Sequence, residues 1–514
     1  MTNTNWKKIK NIVAIIGIAI QFGLMCYYEW AYFYSYVYSD IASDLYLSDT
    51  LARSGHWLLT KDWLWSSEIH FLHNQLLMVP LFHIFDSYRM VLAFSFAIGV
   101  FLCIVLCIWI TFQLCEDFAL SVLSAGLLIA PISVQYEIGF MAMASWPYIF
   151  FTLLFWGLYL CWRKRHNKMT LAFILILSVL MGMCGIRFFM IVFAPYFLAV
   201  VWKFFTNNMF REHIQIQKEE MLECGVIMAA SVLGYGLYHF WICPVYGGGS
   251  ASAAFLVEST EVAENVLYTP FALLEGLGGF RMRNEIASSH GIAQLAIIFA
   301  IILIYAIWIL SYKKSGECFN RYNEDLTFTR SFMTWSLLLN CFLVGFTNMG
   351  QIWGRPMECH YIMLALIVLT CVVCAIIKQS KVNHLFKITW IGMMVIYIIA
   401  ADLWYFRDGQ NTQIPEYVNW INSQDYEYGV SATWDYGMAT TAYTDGAVEV
   451  DYVSGNISDE GQMTRKSNSD REPEFFIFGI EWLDESEINS ILVKSGYSFE
   501  KVYEDTKVSI YELN

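Results

Sequence analysis

Long apolar runs recur from near the start of the chain to about residue 405, and they constrain its fold more than any other feature. A helix needs about 20 mainly apolar residues to cross the hydrocarbon core of a bilayer. Backbone groups inside lipid must also be satisfied within the segment, which leaves helices as the spanning form for runs of this length. Roughly eleven runs qualify, near 12–34, 90–114, 119–136, 145–162, 169–186, 188–204, 225–243, 291–312, 331–349, 361–377 and 387–405. Only 15% of the 514 residues are charged, against about a quarter in a soluble protein. The expected fold class is an all-α polytopic membrane protein with about 11 transmembrane helices.

The charges that do occur are unevenly placed. Residues 402–514 hold 22 acidic and 7 basic residues, a net of −15, so the overall charge of −14 belongs to the tail. An acidic tail without basic clusters excludes the electrostatic footprint of nucleic-acid binding. The tail also holds no cysteine, so no disulfide framework staples it. Elsewhere cysteines such as Cys103, Cys107, Cys371 and Cys374 lie in apolar runs, where the thiol behaves as a small hydrophobe. No CxxC pairs with a second one, which argues against a structural zinc site.

Lysine and arginine set the orientation. With the N-terminus inside, the inner segments carry 17 cations, from Lys7, Lys8 and Lys10 to Lys387. The outer segments before the tail carry seven: Arg53, Lys61, Arg89, Arg187, Arg281, Arg283 and Arg355. That asymmetry fixes a cytoplasmic N-terminus, and an odd span count leaves the tail outside. The first run follows three lysines as a signal peptide would. It lacks a small-residue cleavage site and continues into an aromatic belt of Tyr27, Tyr28, Trp30, Tyr32 and Tyr34, which suits a retained anchor. The domains are then a transmembrane domain over 1–405, with outer loops at 35–89 and 244–290, and a soluble extracytoplasmic domain over 406–514. In the tail, helical patterning at Pro415–Ser423 and Ser486–Gly496 mixes with strand-like runs at Glu449–Val453, Glu474–Phe478 and Val508–Leu513, which reads as a small α/β domain.

The outer polar residues need an explanation. In Ser39-Asp40-Ile41-Ala42-Ser43-Asp44, just after the first run, two carboxylates stand four residues apart, on one face of a helix. Two carboxylates at a membrane surface can hold a metal or take a proton from a hydroxyl; a polar helix start with one of them as cap is the bland alternative. Trp63 and Glu68 lie in the same loop, and His70 and His73, three apart, have the spacing of metal ligands or of interfacial histidines. Glu137 has apolar neighbours at Gly139–Ala144, as a carboxylate facing a cavity would. Arg187, between two apolar runs, calls for a carboxylate or phosphate partner, or snorkels to the headgroups. Arg355, with Glu358 and His360, stands directly before a span and leaves the same choice open. Charges at the edge of hydrocarbon are stabilised by a shared wet pocket, so Asp40, Glu137 and Arg187 are expected to face one cavity.

The order of these features resembles the GT-C superfamily of membrane glycosyltransferases, over nearly the whole chain. Asp40 and Asp44 match that family's acidic position after the first span. Glu137 matches its second acidic position, and 244–290 match its long outer loop. The stretch from Ser39 through Trp63, Ser66, Glu68, Asn74-Gln75-Leu76 and Leu81-Phe82 is similar to an uncharacterised Gram-positive branch. The chain departs from the family's pattern at Glu137, which has no adjacent carboxylate. The resemblance implies transfer of a sugar from a polyprenyl-phosphate donor to a glycan or cell-envelope acceptor, at the outer face of the plasma membrane. Asp40 would be the base. Asp44, Glu68 and Glu137 would orient it, the acceptor or a divalent ion (Mg or Mn, the one cofactor the carboxylates would accommodate). Arg187 and Arg355 would hold the leaving phosphate, with Glu358, His360 and Trp63 as further substrate contacts. A transporter or flippase of lipid-linked sugars, and an inactive relative that binds a partner through its tail, are the alternative classes.

The orientation is tested in the Cys-free tail. Cysteine introduced at Ser454 should react with an impermeant maleimide on intact cells. Labelling that appears only after lysis would reverse the topology.

Overall fold

The computed structural model describes residues 3–37, 39–65, 69, 71–130, 146–209, 214–247, 256–276, 287–311, 324–347, 372–407, 413–453, 465–468 and 471–513. The chain divides into two compact units. One comprises residues 1–25, 99–238 and 253–409; the other comprises 26–98, 239–252 and 410–514.

The first unit is helical. Its elements include most of α1 (Asn3–Ala31), most of α5 (Tyr88–Cys115), α6 (Phe118–Leu128), α7 (Trp146–Arg165), α8 (Lys168–Gly182), α9 (Ala194–Met209) and α10 (Ile214–Leu237). After these come α11 (Ser259–Gly276), α12 (Ser289–Leu310), α13 (Glu324–Phe346) and α14 (His384–Arg407). Among the described residues, four helical stretches are long and apolar enough to cross a membrane: Asn5–Ala31, Tyr88–Cys115, Glu219–Tyr246 and His384–Asp402. The protein is therefore a multi-pass membrane protein. The count of about eleven spans goes beyond these four, and the runs at 119–136, 331–349 and 361–377 lie partly outside the described residues.

Two features stand out in the packing of this unit among the described residues. The first is close backbone approach between α8 and α10, where a Cβ on Gly182 would fall 2.2 Å from the Ser231 carbonyl oxygen. A Cβ on Gly234 would fall 2.0 Å from that of Val179. Small residues at such crossings let helices pack where no hydrophobic force drives them together. The second is a set of ion pairs on residues that the charge asymmetry assigns to the inner side. Asp117 caps α6 through Leu120 and takes Lys10 at 2.9 Å and Lys378 at 3.0 Å. Lys203 bridges Glu220 (2.8 Å) and Glu324 (2.7 Å), and Arg163 lies 3.3 Å from Glu324 and 3.4 Å from Asp325.

The second unit contains the loop that follows the first span, and the tail. The loop holds the short helix α2 (Phe33–Tyr36), α3 (Ser39–Arg53) and α4 (Gln75–Phe82). The tail holds α15 (Glu416–Asn422), β1 (Tyr428–Ser431), α16 (Trp434–Tyr443), β2 (Glu449–Tyr452), β3 (Phe475–Gly479), α17 (Glu485–Ser495), β4 (Phe499–Glu504) and β5 (Val508–Leu513). The strands form one sheet in the order β2-β1-β3-β5-β4. β1 pairs in parallel with β2 and β3, and β5 pairs antiparallel with β3 and β4. Parallel neighbours need a crossover, and α16 supplies it between β1 and β2. Side chains alternate across a strand, so β3 feeds two cores. Phe475 and Ile477 join Tyr417, Val418 and Ile421 on one face, while Phe476 and Phe478 join Val430 and Ile488 on the other. α17 is fixed by a capping box between Asp484 and Glu487, and ends at Gly496 in the left-handed region (φ +76°).

The α8–α10 contact makes a sharp prediction. Gly234→Ala should destabilise the protein by about 1–3 kcal/mol, because the neighbouring helix must move. Gly236→Ala, where nothing stands within 4 Å of an added Cβ, should be neutral or slightly stabilising. Thermal unfolding of the purified protein in detergent compares the two. Equal melting temperatures would mean that the close approach is not maintained.

Candidate functional site

The site is built on α3, in the second unit. Asp40 falls in its first turn, where the helix dipole favours a carboxylate, and Arg53 in its last, where the dipole favours a cation. Arg53 also pairs with Asp49, four residues earlier, at 2.8 Å. The helix stops at Gly55, whose φ of +70° an L side chain rarely adopts. There the His56 N–H reaches back to Leu51 O and the Gly55 N–H to Ala52 O, the paired bonds of a Schellman stop.

Between these ends the helix is enclosed, and every residue from Ile41 to Leu51 is buried. α4 packs on it, as does α16 of the tail. Asp40 is exposed; Asp44, one turn on, is buried. The Asp44 carboxylate accepts a hydrogen bond from Asn74 Nδ2 at 2.8 Å and lies 3.1 Å from His73 Nδ1. Both partners come from the residues that lead into α4, so the pairing of α3 with α4 orients this carboxylate. The indole of Trp63 is fully buried, edge-on to Tyr46 with ring centroids 5.5 Å apart.

The far half of α3 meets charges from the tail that sequence reasoning did not single out. Asp49 accepts from the Tyr88 hydroxyl at 2.9 Å. Arg465 donates through Nε to Thr50 Oγ1 and through Nη1 to Glu449 Oε1, both at 2.8 Å. Asn468 Nδ2 donates to the Tyr46 hydroxyl at 3.1 Å. Burial raises the Tyr46 pKa well above the tyrosine range, and the Asp451 and Glu449 carboxylates raise it further, so the hydroxyl stays neutral. Elsewhere in the same unit, Asp445 accepts from the Tyr88 N–H at 2.7 Å, and the Tyr443 hydroxyl donates to the carbonyls of Tyr34 (3.0 Å) and Val37 (2.9 Å). The one sequence signal for Arg465 is scarcity, since it is one of only seven cations in a tail of net charge −15.

Arg187 belongs to the first unit. The chain leaves α8, turns through Gly185 at φ +80° and enters a π-helical segment, Phe189–Phe193. Arg187 Nη1 donates to the Tyr148 hydroxyl at 3.3 Å, and the guanidinium carbon lies 5.9 Å from the Tyr148 ring centre. Single π turns inside α-helices occur frequently at functional sites. Glu68, His70, Glu137, Arg355, Glu358 and His360 lie outside the described residues. Among the described residues, no group of three or more His, Cys, Asp or Glu side chains is placed to hold a metal ion. His73, whose spacing from His70 suits either metal ligands or interfacial histidines, is turned toward Asp44.

No protein-family model matches this sequence, and no curated protein matches it. Similar solved structures exist. ArnT from Cupriavidus metallidurans bound to undecaprenyl phosphate superposes with a TM-score of 0.52 at 9% identity, covering 99% of this chain and 98% of that one. The apo state of the same protein gives a TM-score of 0.55 at 9% identity, covering 97% and 98%. The chain has the GT-C fold. The likeness extends over both units, so the GT-C fold here includes the tail and not the helical unit alone.

The Asp44 environment is testable without knowing a substrate. Asn74→Ala leaves a buried carboxylate short of a hydrogen bond, which should cost about 1–3 kcal/mol. Thermal unfolding in detergent should show a lowered midpoint. An unchanged midpoint would mean that Asp44 does not depend on this bond.

Proposed function

We propose that this protein is a membrane glycosyltransferase that moves a sugar from a polyprenyl-phosphate donor to an acceptor hydroxyl on a glycan or other cell-envelope molecule, at the outer face of the plasma membrane. The observation that carries the reading is the pair on α3. An exposed carboxylate, Asp40, begins a helix shortly after the first span, and a buried carboxylate, Asp44, sits one turn behind it with its own partners. That is the division of labour a general base and its orienting group require. The ArnT structure bound to undecaprenyl phosphate supports a lipid phosphate as the donor's carrier.

In this reading the Asp40 carboxylate takes the proton from the acceptor hydroxyl. The freed oxygen forms a bond to the anomeric carbon of the sugar, and the bond from that carbon to the phosphate oxygen breaks. Polyprenyl phosphate leaves with the electron pair. Negative charge grows on the phosphate as it leaves, and a fixed cation stabilises it there. Arginine suits this task because its planar fork matches phosphate oxygens. Arg187 is assigned to it, with Arg355 as the second candidate. Glu68, Glu137, Glu358 and His360 are assigned to orienting the acceptor and the sugar; Trp63, which sequence reasoning counted as a substrate contact, is buried against Tyr46 and is assigned to supporting α3.

Asp40→Asn keeps the size of the side chain and removes its charge and basicity. It should lower turnover by about 10²–10⁴-fold, the usual worth of general-base catalysis, with little change in expression or donor binding. Asp44→Asn should cost less. Abolished activity in Asp44→Asn with Asp40→Asn intact would exchange the two roles. Full activity in both would leave Asp40 as a solvated helix start and Asp44 as a packing residue, and favour a protein that binds without catalysing.

A further inference from the structure

We propose that Arg465 of the tail is a positioning residue that fixes the register and roll of α3, and so the placement of Asp40 and Asp44. This rests on the transferase reading above for its catalytic consequence, though not for the anchoring itself.

Tyr46, Asp49, Thr50 and Arg53 recur at helical spacing, so they form one stripe along α3. Arg465 meets three of them. Its Nε donates to Thr50 Oγ1, its Nη2 lies 3.8 Å from Asp49 Oδ2, and its guanidinium carbon stands 5.0 Å from the Tyr46 ring centre. The remaining arm, Nη1, donates to Glu449 Oε1 on β2. The other Glu449 oxygen takes Arg471 Nη1 at 3.2 Å, which holds the carboxylate from behind. One guanidinium therefore connects the edge of the tail's sheet to two turns of α3. The Arg465 side chain is mostly buried, as are Asp49 and Glu449. Buried charges of this kind persist only when paired and hydrogen-bonded, and the planar fork of arginine can engage several partners in fixed directions, which an ammonium cannot.

The consequence follows from helix geometry. Thr50 lies six residues beyond Asp44, about 9 Å along a rigid helix. A roll or slide allowed at Thr50 is delivered undiminished to Asp44 and Asp40. A misplacement of about 1 Å at a reacting group can cost on the order of 10²-fold in rate. Arg465 touches no reacting atom in this account; it acts through the helix.

The test uses the purified full-length protein, with a synthetic polyprenyl-phosphate sugar and amide hydrogen exchange as paired readouts. Arg465→Lys keeps the charge and loses the fork. It should lower kcat by about 10–100-fold, with donor KM changed by less than about threefold. Exchange across 39–53 should accelerate about tenfold or more while 475–479 and 508–513 keep their protection, as expected for local loosening. Thr50→Val removes one of Arg465's bonds, together with the Thr50 hydroxyl's own bond to the Tyr46 carbonyl, leaves the charge in place and should shift both readouts in the same direction by less. Unchanged exchange over 39–53 in both variants overturns the proposal. So does exchange that rises equally in the tail's sheet, since Arg465 would then only stabilise the tail. A wild-type protein without turnover on any donor, whose α3 still loosens in Arg465→Lys, upholds the anchor and sinks the transferase reading instead.

Discussion

Helix α3 is buried without a break from Ile41 to Leu51, yet that stretch carries Ser43, Asp44, Ser48, Asp49 and Thr50. A buried polar group without a partner costs several kcal/mol, and a buried charge costs more. The organisation of the second unit answers that constraint. Ser48 and Thr50 return their hydroxyls to the helix's own carbonyls at Asp44 and Tyr46. Asp44 is met by Asn74 and His73, and Asp49 by Arg53, Tyr88 and Arg465. Asp40, in the first turn, lies outside this buried stretch and is exposed. The same constraint that encloses the helix thus singles out one carboxylate as accessible, and access is the first property a base for an incoming hydroxyl must have.

Because those partners are drawn from both the residues leading into α4 and the tail, the tail is more than an appendage within this unit. Tyr443 reaches the backbone at Tyr34 and Val37, where the chain passes from α1 toward α3. Asp445 receives the first N–H of α5 at Tyr88, an anion at a helix N-terminus. Ser467 donates to Asp62 in the loop through both its N–H and its hydroxyl, at 2.8 and 3.0 Å. The tail's sheet makes this possible. Its two cores, fed by alternate residues of β3, are apolar. The polar side chains of β2 and of the segment after residue 464 are left to engage the loop.

Much of this is legible in the sequence where a pattern is local. The strand-like runs at Glu449–Val453, Glu474–Phe478 and Val508–Leu513 coincide closely with β2, β3 and β5, and the two helical patterns with α15 and α17. β1 and α16 were not legible, since Tyr428-Gly429-Val430-Ser431 is short with a glycine inside, and α16 is rich in small and polar residues that signal no element strongly. The pair Asp40 and Asp44 was visible as a spacing, but the spacing does not say which of two residues on one face is covered. His73 had the spacing of a ligand; its turn toward Asp44 depends on how α4 packs. Arg465 was invisible as a partner of Thr50, since the two are 415 residues apart and nothing in either neighbourhood encodes the pairing. The GT-C resemblance spoke to architecture, and architecture is where the solved structures agree with it.

The central claim is that an exposed carboxylate, backed by a buried one, serves sugar transfer from a lipid phosphate. The most direct measurement is to incubate the purified wild-type protein with a panel of synthetic polyprenyl-phosphate sugars and crude cell-envelope acceptor, and to follow free polyprenyl phosphate by mass spectrometry. The account predicts catalytic release from at least one donor, dependent on acceptor and lost in Asp40→Asn. Intact donors throughout the panel, with the protein shown to be folded, would contradict it.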